Sequence, residues 1–252
     1  MIMQKGENEC CKSADAVGSL LPCAREHFIE PGMAPEKFHY VPNGIVAADW
    51  EKPLPEHPVY EAKLRSLHEN GWFLIAYTGA HGIANALDSF VEAGALLKGA
   101  KIKLLLVGPG PERERLKAKA AEIAPNNVEL LDPISRAQVP EFLHQMDALY
   151  IGLQRQPLFR FGVSPNKLMD YMMAGKPVIF AIEAGNDMVA EARCGISIPP
   201  EDSRAIADAA RKLASMPPQE LAEMGMRGHQ YILENQEYDV LANQFLDIME
   251  HC

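Results

Sequence analysis

The sequence predicts an α/β fold, in which a doubly wound, mostly parallel, six-stranded Rossmann-like sheet is followed by a helical C-terminus. Two observations support this prediction. Six short apolar runs alternate with segments in which apolar residues recur at helical spacing. The runs are apolar at successive positions, which is typical of strands buried on both faces, so helices are expected on both sides of the sheet.

The six predicted strands are short and rich in β-branched, aromatic and leucine residues. In chain order they cover residues 72–79, 101–108, 127–132, 147–153, 176–182 and 195–200. Helical segments follow the first five strands, over 83–98, 111–124, 135–146, 164–175 and a short stretch that ends at Glu191. Pro111 near a first helical turn, Ser135 as an N-cap, and Asp202-Ser203 ahead of a further helix mark three helix starts.

The pattern divides the chain into four sections. The predicted divisions are 1–50, 51–71 as a linker and helix, 72–200 as the core, and 201–252 as C-terminal helices. The first section contains a short apolar run, a helix over 24–29 and the strand-like HYVPNGI over 39–45. The linker is predicted from the proline-rich EKPLPEHP, and the C-terminal helices are interrupted at Met216-Pro217-Pro218.

Composition narrows the class of protein. The chain has 252 residues, 48% hydrophobic and 23% charged, with a formal net charge of −10. These values suit a globular domain and leave no basic surface for a nucleic-acid partner. The five cysteines lack the paired spacing of disulfide frameworks and zinc sites, so no metal or other cofactor is expected. With no signal-like N-terminus and no apolar stretch of about 18 residues, the sequence predicts a cytoplasmic protein that reaches a membrane only through a partner.

The loop Thr78-Gly79-Ala80-His81-Gly82 follows the first predicted core strand, at the edge where open α/β sheets bind ligands. Its two glycines would let backbone N–H groups approach a phosphate at a helix N-terminus. A tight strand-to-helix turn explains the same residues equally well. His81 has two interpretations as well, either a contact to a donor sugar or phosphate, or a structural histidine in a turn.

A second glycine-containing loop, Gly108-Pro109-Gly110-Pro111, follows the second core strand. Its prolines remove N–H donors, which makes the loop a poor phosphate cradle. We therefore predict a turn at this position and not a ligand-binding loop.

The most informative loop covers residues 161–171, FGVSPNKLMDY. Ser164 is predicted to cap a helix with Pro165 at its first position. The first-turn N–H groups, including that of Asn166, and the Lys167 ammonium would then converge on a point suited to a diphosphate. Asp170, one turn further on, would accept hydrogen bonds from ribose hydroxyls. The alternative is a capped surface helix in which Lys167 and Asp170 form an ion pair of little energetic value.

The string SPNKLMDYMMAGKPVI resembles the signature helix of retaining, family-4 type GT-B glycosyltransferases, particularly the bacterial enzymes that build surface polysaccharides from amino-sugar donors. Around it, the order of YTGAHG, LLLVGPGPERERL, VELLDPISRAQVPEFLHQMDALYIGL and AGNDMVAEARCGISIPPED is similar to the C-terminal, donor-binding domain of those enzymes. HYVPNGI resembles the segment by which the chain enters that domain. The resemblance implies a domain that binds a nucleotide diphosphate sugar, with a UDP-sugar favoured.

The resemblance also implies roles for individual residues. Lys167 would lie beside the donor diphosphate as the principal catalytic cation, and Asp170 would hold the ribose. The remaining donor contacts would come from three loops: Gly79, Ala80, His81 and Gly82 at the diphosphate and sugar, Asp132, Pro133 and Ile134 at the base, and Ser164, Pro165 and Asn166 at the helix start.

The sequence departs from the family pattern at two points that affect the mechanism. The family commonly has a second acidic residue eight positions before the ribose carboxylate, where this sequence has Gly162. Many members also place an arginine–lysine pair on the diphosphate near the first core strand, where YTGAHGIANAL offers only His81. Lys167 is left as the chief candidate cation.

A GT-B enzyme has two Rossmann-like domains, and the resemblance accounts for one of them. It implies that residues 1–50 correspond to the end of the acceptor domain and the crossover, and that a helix over 238–249 packs against that domain. The apolar residues of this helix would then be uncovered, and they are Val240, Leu241, Phe245, Leu246 and Met249. We therefore expect self-association or a separate chain that carries the acceptor domain.

The expected reaction is glycosyl transfer from the donor with retention at the anomeric carbon, in polysaccharide or glycan biosynthesis. Stabilisation of the leaving diphosphate by Lys167 and helix N-termini needs no metal. Two alternatives stay open: a module, or half of a split enzyme, that binds the nucleotide sugar without catalysis, and a sugar-nucleotide epimerase of the same architecture. A dinucleotide oxidoreductase is disfavoured, because TGAHGIA lacks the GxGxxG pattern.

Overall fold

The computed structural model describes residues 2–50 and 59–251. The proline-rich linker predicted over 51–58 lies outside these residues, whereas a helix is present after it, at Glu61–Glu69. The described residues form a small N-terminal parallel sheet, a larger parallel sheet with helices, and a C-terminal group of helices. None of the described helices is long and apolar enough to cross a membrane.

The N-terminal section is built from two helices and two strands. In chain order they are α1 Ile2–Ser13, β1 Val17–Ser19, α2 Arg25–Ile29 and β2 Phe38–Tyr40, and the two strands pair in parallel. The pattern of apolar residues does not predict α1, because this polar stretch carries few of them. The strand expected over 39–45 ends at Tyr40, since Pro42 lacks the N–H that a further ladder bond needs.

The larger sheet has six parallel strands, as predicted. Its strands and the helices between them are α3 Glu61–Glu69, β3 Phe73–Thr78, α4 Leu87–Leu96, β4 Ile102–Val107, α5 Arg113–Ile123, β5 Val128–Leu131, α6 Val139–His144, β6 Ala148–Gly152, α7 Asn166–Met173, β7 Val178–Ala181, α8 Met188–Ala192 and β8 Gly195–Ser197. The spatial order is β5-β4-β3-β6-β7-β8. The order therefore reverses between β3 and β6, and the carboxyl ends of these strands border the crevice where doubly wound sheets bind ligands.

Successive strand positions pack on opposite faces of the sheet. Along β3, Leu74 and Ala76 join the core that includes side chains of α6, α7 and α8. Ile75 and Tyr77 join the core that includes side chains of α4 and α5. All four residues are fully buried. This double burial explains the continuous apolar character of the strands and confirms the doubly wound architecture.

The helix after β3 begins later than the apolar spacing predicts. Ile83–Asn85 form a single 3-10 turn, and α4 starts only at Leu87. Ala86 between them has a φ of 49°, a left-handed conformation that an α-helix does not contain. The break leaves Asn85 in a turn beside the loop that follows β3.

Three helices follow the large sheet: α9 Ser203–Ala214, α10 Pro218–Asn235 and α11 Tyr238–Glu250. The predicted cap of α9 is confirmed, because the Asp202 carboxylate accepts a hydrogen bond from the Ala205 N–H at 2.9 Å. Ser135 also begins a helical turn, and its N–H donates to the Gln138 side chain at 3.0 Å. The interruption predicted at residues 216–218 is present one residue earlier, at 215–217, between the end of α9 and the start of α10.

The α11 helix presents most of its apolar face to solvent, as the sequence predicts. Its exposed apolar residues, 40–63% accessible, are Val240, Phe245, Leu246 and Met249. The expectation that Leu241 is uncovered is wrong, because Leu241 is buried against Gly44 in the segment after β2. The Ile45 N–H donates to the Gln236 carbonyl and the Tyr238 N–H donates to the Ile45 carbonyl, so the start of α11 is fixed against the same segment.

The loops after β3 and β4 are in direct backbone contact. Gly108 has a φ of +145°, and a Cβ atom on it would lie 2.1 Å from the Gly79 carbonyl oxygen. Gly110 has a φ of +150°, and its Cβ would lie 2.5 Å from the His81 backbone nitrogen. The His81 N–H donates to the Pro109 carbonyl at 2.7 Å. The glycines of the second loop therefore make room for the first loop.

We expect Gly108→Ala to destabilise the protein by roughly 3 kcal/mol, because the methyl group would strain the backbone and displace Gly79. Gly99→Ala is the matched control, since Gly99 also has a positive φ, of +86°, but has open space where its Cβ would lie. Chemical denaturation should show a loss of only about 1 kcal/mol for the control. Equal losses of stability for the two variants would show that the contact between the loops does not contribute to the free energy of unfolding.

Candidate functional site

A cleft of about 320 Å³ opens at the carboxyl ends of β3 and β4, beside the start of α7. Five of the residues predicted to contact a donor line this cleft, and they are Gly79, Ile134, Asn166, Lys167 and Asp170. They come from three separate loops, which the parallel sheet brings to one edge. This is the edge at which the strand order reverses, the usual ligand crevice of such sheets.

Lys167 lies in the first turn of α7, and its ammonium group is held by two neutral side chains. Nζ donates to the Tyr77 hydroxyl at 2.7 Å and to Asn85 Oδ1 at 3.0 Å. It also lies 4.4 Å from the centroid of the Tyr77 ring. Burial lowers the Lys167 pKa to about 8. The ion pair with Asp170, the alternative drawn from the sequence, is not formed, because Asp170 is paired with Arg136.

Gly79 leaves space beside this ammonium group. Its φ is +133°, and a Cβ atom on it would lie 3.3 Å from Lys167 Nζ and 3.5 Å from the Tyr77 hydroxyl oxygen. A side chain at position 79 would therefore crowd the ammonium. Glycine at this position keeps one side of the cation accessible from the cleft.

Tyr171 joins α7 to the end of β3. Its hydroxyl accepts a hydrogen bond from the Thr78 N–H at 2.7 Å and donates to the Thr78 carbonyl at 3.2 Å. The ring is fully buried, and burial raises the Tyr171 pKa, so the hydroxyl remains protonated. This contact fixes the start of the β3 loop relative to α7, and so fixes Gly79 relative to Lys167.

Asp170 is held by an arginine that the sequence analysis did not single out. Both carboxylate oxygens accept hydrogen bonds from Arg136, at 2.5 and 2.8 Å. The Asp170 side chain is 6% exposed and that of Arg136 is 73% exposed. Burial raises the Asp170 pKa, and the arginine opposes this shift. The carboxylate is thus oriented and neutralised at the cleft wall.

His81 does not line the cleft. Its side chain is fully buried, and neither ring nitrogen has a hydrogen-bond partner within the described residues. Burial, together with the positive charges of Arg113 and Lys167, lowers the His81 pKa to about 4. Of the two interpretations of this histidine, the geometry favours the structural one, with a neutral imidazole packed beneath the loop.

The other predicted contacts also lie outside the cleft wall, and they are Ala80, Gly82, Asp132, Pro133, Ser164 and Pro165. The Ala80 carbonyl accepts a hydrogen bond from the Tyr77 hydroxyl at 2.8 Å, so this residue supports the loop through its backbone. Asp132 is exposed at the surface, where its carboxylate accepts a hydrogen bond from Arg113 at 2.8 Å. Ile134 is the residue of its loop that reaches the cleft.

The predicted cap of α7 is wrong. Asn166 is the first helical residue, Pro165 precedes it in an extended conformation, and no side chain caps the helix. The Ser164 hydroxyl instead accepts a hydrogen bond from the Asn43 N–H at 3.2 Å, and the Asn43 amide donates to the Ser164 carbonyl at 2.7 Å. Ser164 therefore ties the helix start to the segment after β2.

Gly162 occupies a position where the family that the sequence resembles commonly has an acidic residue. It has a φ of +106°, and a Cβ atom on it would lie 2.6 Å from Pro22 Cδ and 3.0 Å from Asn186 Oδ1. The backbone conformation and the surrounding atoms leave no space for a side chain here. The missing carboxylate is therefore a consequence of how this loop packs.

The depressed pKa of His81 predicts a specific pH dependence of stability. Because the folded-state pKa of about 4 lies below the ordinary value of 6.5, the unfolded chain binds more protons between these pH values, and stability rises with pH across that window. The contribution is on the order of 3 kcal/mol. In urea unfolding from pH 4 to 6.5, His81→Leu should flatten this rise.

The control for this experiment is His251→Leu, which removes an exposed imidazole near the end of α11. It should leave the rise in stability as it is in the parent protein. A His81→Leu variant with the same rise as the parent would contradict the burial of a neutral imidazole.

A family model described as Glycosyl transferases group 1 matches residues 73–216, more than half of the chain. No curated protein matches the sequence. Among solved structures, a glycosyltransferase from Rickettsia africae has a TM-score of 0.78 at 15% identity, over 98% of this chain and 66% of its own. HepE from Anabaena in complex with UDP has a TM-score of 0.79 at 16% identity, over 99% and 67%. Sucrose-phosphate synthase from Thermosynechococcus elongatus has a TM-score of 0.75 at 19% identity, over 97% and 60%.

These structures share the fold of this chain along nearly all of its length. The chain spans about two thirds or less of their lengths, at 66%, 60% and 67%. At identities of 15–19%, the likeness concerns the fold alone.

Proposed function

The chain belongs to the glycosyl transferases group 1 family, and on that premise we propose that its cleft binds the nucleoside diphosphate of a sugar donor for retaining glycosyl transfer. The observation that carries this proposal is the Lys167 ammonium, which faces a glycine loop at the carboxyl edge of β3 and is held only by neutral groups among the described residues. A diphosphate is the kind of group that such a site attracts. UDP is the favoured nucleotide, because HepE, which has the same fold, has been solved with UDP.

In this proposal each part of the cleft contacts a different part of the donor. Lys167 contacts the diphosphate, and Gly79 leaves room for the phosphate oxygens. Asp170, oriented by Arg136, accepts a hydrogen bond from the ribose. The base lies against Ile134 and the backbone of its loop.

The proposed reaction breaks the bond between the anomeric carbon and the diphosphate oxygen, and that oxygen keeps the electron pair. The acceptor hydroxyl oxygen forms the new bond on the same face of the sugar, and its proton passes to the departing phosphate. Negative charge develops on the diphosphate, where the Lys167 ammonium and the N-terminus of α7 stabilise it. Because the fold positions the cation in advance, this stabilisation needs little rearrangement.

The finer class that we propose is the family-4 type, within the subgroup that transfers amino sugars into bacterial surface polysaccharides. Its support is the string SPNKLMDYMMAGKPVI, which contains both Lys167 and Asp170. Transfer would require an acceptor domain in addition to the donor cleft. We therefore expect the chain alone to bind donor and to transfer little, and an assay for donor hydrolysis and transfer by the purified chain distinguishes an enzyme from a binding module.

We also propose that α11 and the β1–β2 sheet bind a second chain, either a copy of this one or one that carries an acceptor domain. A two-stranded sheet is seldom stable without further packing. The Gln244 side chain of α11 donates to the Tyr40 carbonyl of β2 at 2.9 Å, so the helix and the sheet are parts of one surface. The α11 helix also carries four exposed apolar residues, and exposed apolar residues favour an interface.

We expect Lys167→Ala to weaken binding of a nucleoside diphosphate by ~1.5–3 kcal/mol, as for the loss of a charged hydrogen bond. Isothermal titration calorimetry with UDP, GDP and ADP measures this loss and identifies the base. Lys101→Ala is the matched control, because Lys101 precedes β4, at the opposite edge of the sheet, and donates to the Asn70 carbonyl. Unchanged binding by Lys167→Ala would show that Lys167 does not contact the nucleotide.

Sedimentation velocity tests the proposed interface. We expect a sedimentation coefficient that rises with protein concentration, because association would bury the apolar face of α11. The double variant Phe245→Glu, Leu246→Glu should remove this rise. Leu158→Glu is the control, since Leu158 is 63% exposed but lies in the turn before α7. A clean monomer at every concentration would contradict self-association.

A further inference from the structure

The Lys167 ammonium belongs to a hydrogen-bond network that closes on itself. Nζ donates to Tyr77 and to Asn85, at 2.7 and 3.0 Å. The Tyr77 hydroxyl donates in turn to the Ala80 carbonyl at 2.8 Å, and the Asn85 amide donates to the same carbonyl at 3.0 Å. Two side chains from different elements thus connect one cation to one carbonyl of the β3 loop.

The direction of each hydrogen bond is determined by the groups involved. Burial raises the Tyr77 pKa, so its hydroxyl keeps its proton and gives it to Ala80, which leaves the oxygen free to accept from Lys167. Asn85 uses its amide nitrogen as donor and its oxygen as acceptor. An ammonium has three N–H groups, so one remains after Tyr77 and Asn85 are satisfied. Gly79 leaves room beside it by having no Cβ atom, since a Cβ there would lie only 3.3 Å from Nζ.

We propose that Tyr77 and Asn85 are positioning residues, which hold the Lys167 ammonium against the β3 loop with one N–H group directed to an anion in the cleft. This inference rests on the proposed function and names two residues that the family resemblance does not assign. Both partners of the lysine are uncharged, so they orient the ammonium without neutralising it. A carboxylate in either position would orient it equally well and cancel its attraction for a diphosphate.

Asn85→Asp is the sharpest test, because it keeps the shape of the side chain and the acceptor oxygen and places a negative charge beside the Lys167 ammonium. Asn126→Asp is the matched control, since Asn126 is exposed and lies ahead of β5, at the opposite edge of the sheet. Calorimetry with UDP, GDP and ADP should show a loss of about tenfold or more for Asn85→Asp. The control, which adds only an exposed charge, should stay within about twofold of the parent protein.

Tyr77→Phe is a second test that adds no charge. It keeps the ring beneath the ammonium and removes the hydroxyl from the network, so we expect about a fivefold loss of affinity. Its control is Tyr150→Phe in β6, whose buried hydroxyl takes no part in this network. Thermal unfolding of each variant shows whether it is folded. If Asn85→Asp is not folded, Tyr77→Phe and the pH dependence of the parent protein test the inference.

The pH dependence gives a readout that a merely structural role would not change. Lys167 has a pKa of about 8 in the free protein, and a bound anion raises it. Affinity for the diphosphate should therefore be close to full at pH 7 and should fall as the pH rises through 8 to 9. Among the neighbouring groups, Tyr77 stays protonated and His81 stays neutral over this range. In Asn85→Asp the fall should move to higher pH, because the new carboxylate raises the Lys167 pKa.

The outcomes separate this inference from the proposed function. If the parent protein binds none of the three nucleotides, the proposed function fails and the inference fails with it. If the parent binds but Asn85→Asp and Tyr77→Phe bind equally well, or if affinity does not change from pH 7 to 9, the inference is wrong and the proposed function stands. Weakened binding by the variants together with the shifted pH dependence supports the inference.

Discussion

The site depends on one steric constraint, the backbone contact between the loops that follow β3 and β4. Gly108 approaches Gly79 so closely that a methyl group on it would overlap the Gly79 carbonyl. The N–H of His81 is bonded to the same neighbouring loop, so the peptide between Gly79 and His81 has little freedom. That peptide carries the Ala80 carbonyl, to which Tyr77 and Asn85 are bonded. Because Tyr77 and Asn85 accept hydrogen bonds from Lys167, they in turn determine the position of its ammonium group. A glycine in the loop after β4 thus helps to determine the position of the cation.

Two tyrosine hydroxyls transmit this constraint across the sheet. Tyr77 belongs to the core on one face and Tyr171 to the core on the other, yet both hydroxyls reach the carboxyl end of β3. A buried hydroxyl destabilises the folded state unless it is hydrogen-bonded. Each tyrosine hydroxyl therefore holds its hydrogen-bond partner in a fixed position. Tyr171 holds the strand end to α7, and Tyr77 holds the loop to a lysine on that helix. These hydrogen bonds therefore connect the first turn of α7 to the β3 loop, and this connection is consistent with the proposed binding of a charged group without rearrangement.

Sequence patterns predicted the features that depend on local periodicity, and they missed those that depend on distant partners. Continuous apolar runs were enough to predict a sheet buried on both faces. The cap of α7 was predicted wrongly because Ser164 has the right residue type, but its hydroxyl is bonded to a residue 121 positions away. Arg136 was missed because its partner Asp170 is 34 positions away. Asn85 was missed because apolar spacing does not reveal the left-handed Ala86 that ends the turn before α4.

The chain has a net charge of −10, but the charges in the cleft are compatible with the proposed binding of an anion. Electrostatic attraction over a few ångströms depends on local groups, since salt screens exposed charges that lie further away. Asp170 is the acid at the cleft wall, and Arg136 neutralises it with both of its forked N–H groups. The charge of Lys167, in contrast, is not neutralised, because its partners are a phenol and an amide. Partial burial weakens the solvation of its charge without cancelling it. A diphosphate bound as we propose would meet a cation that is already oriented, while a cationic ligand would meet no unpaired carboxylate among the described residues that line this cleft.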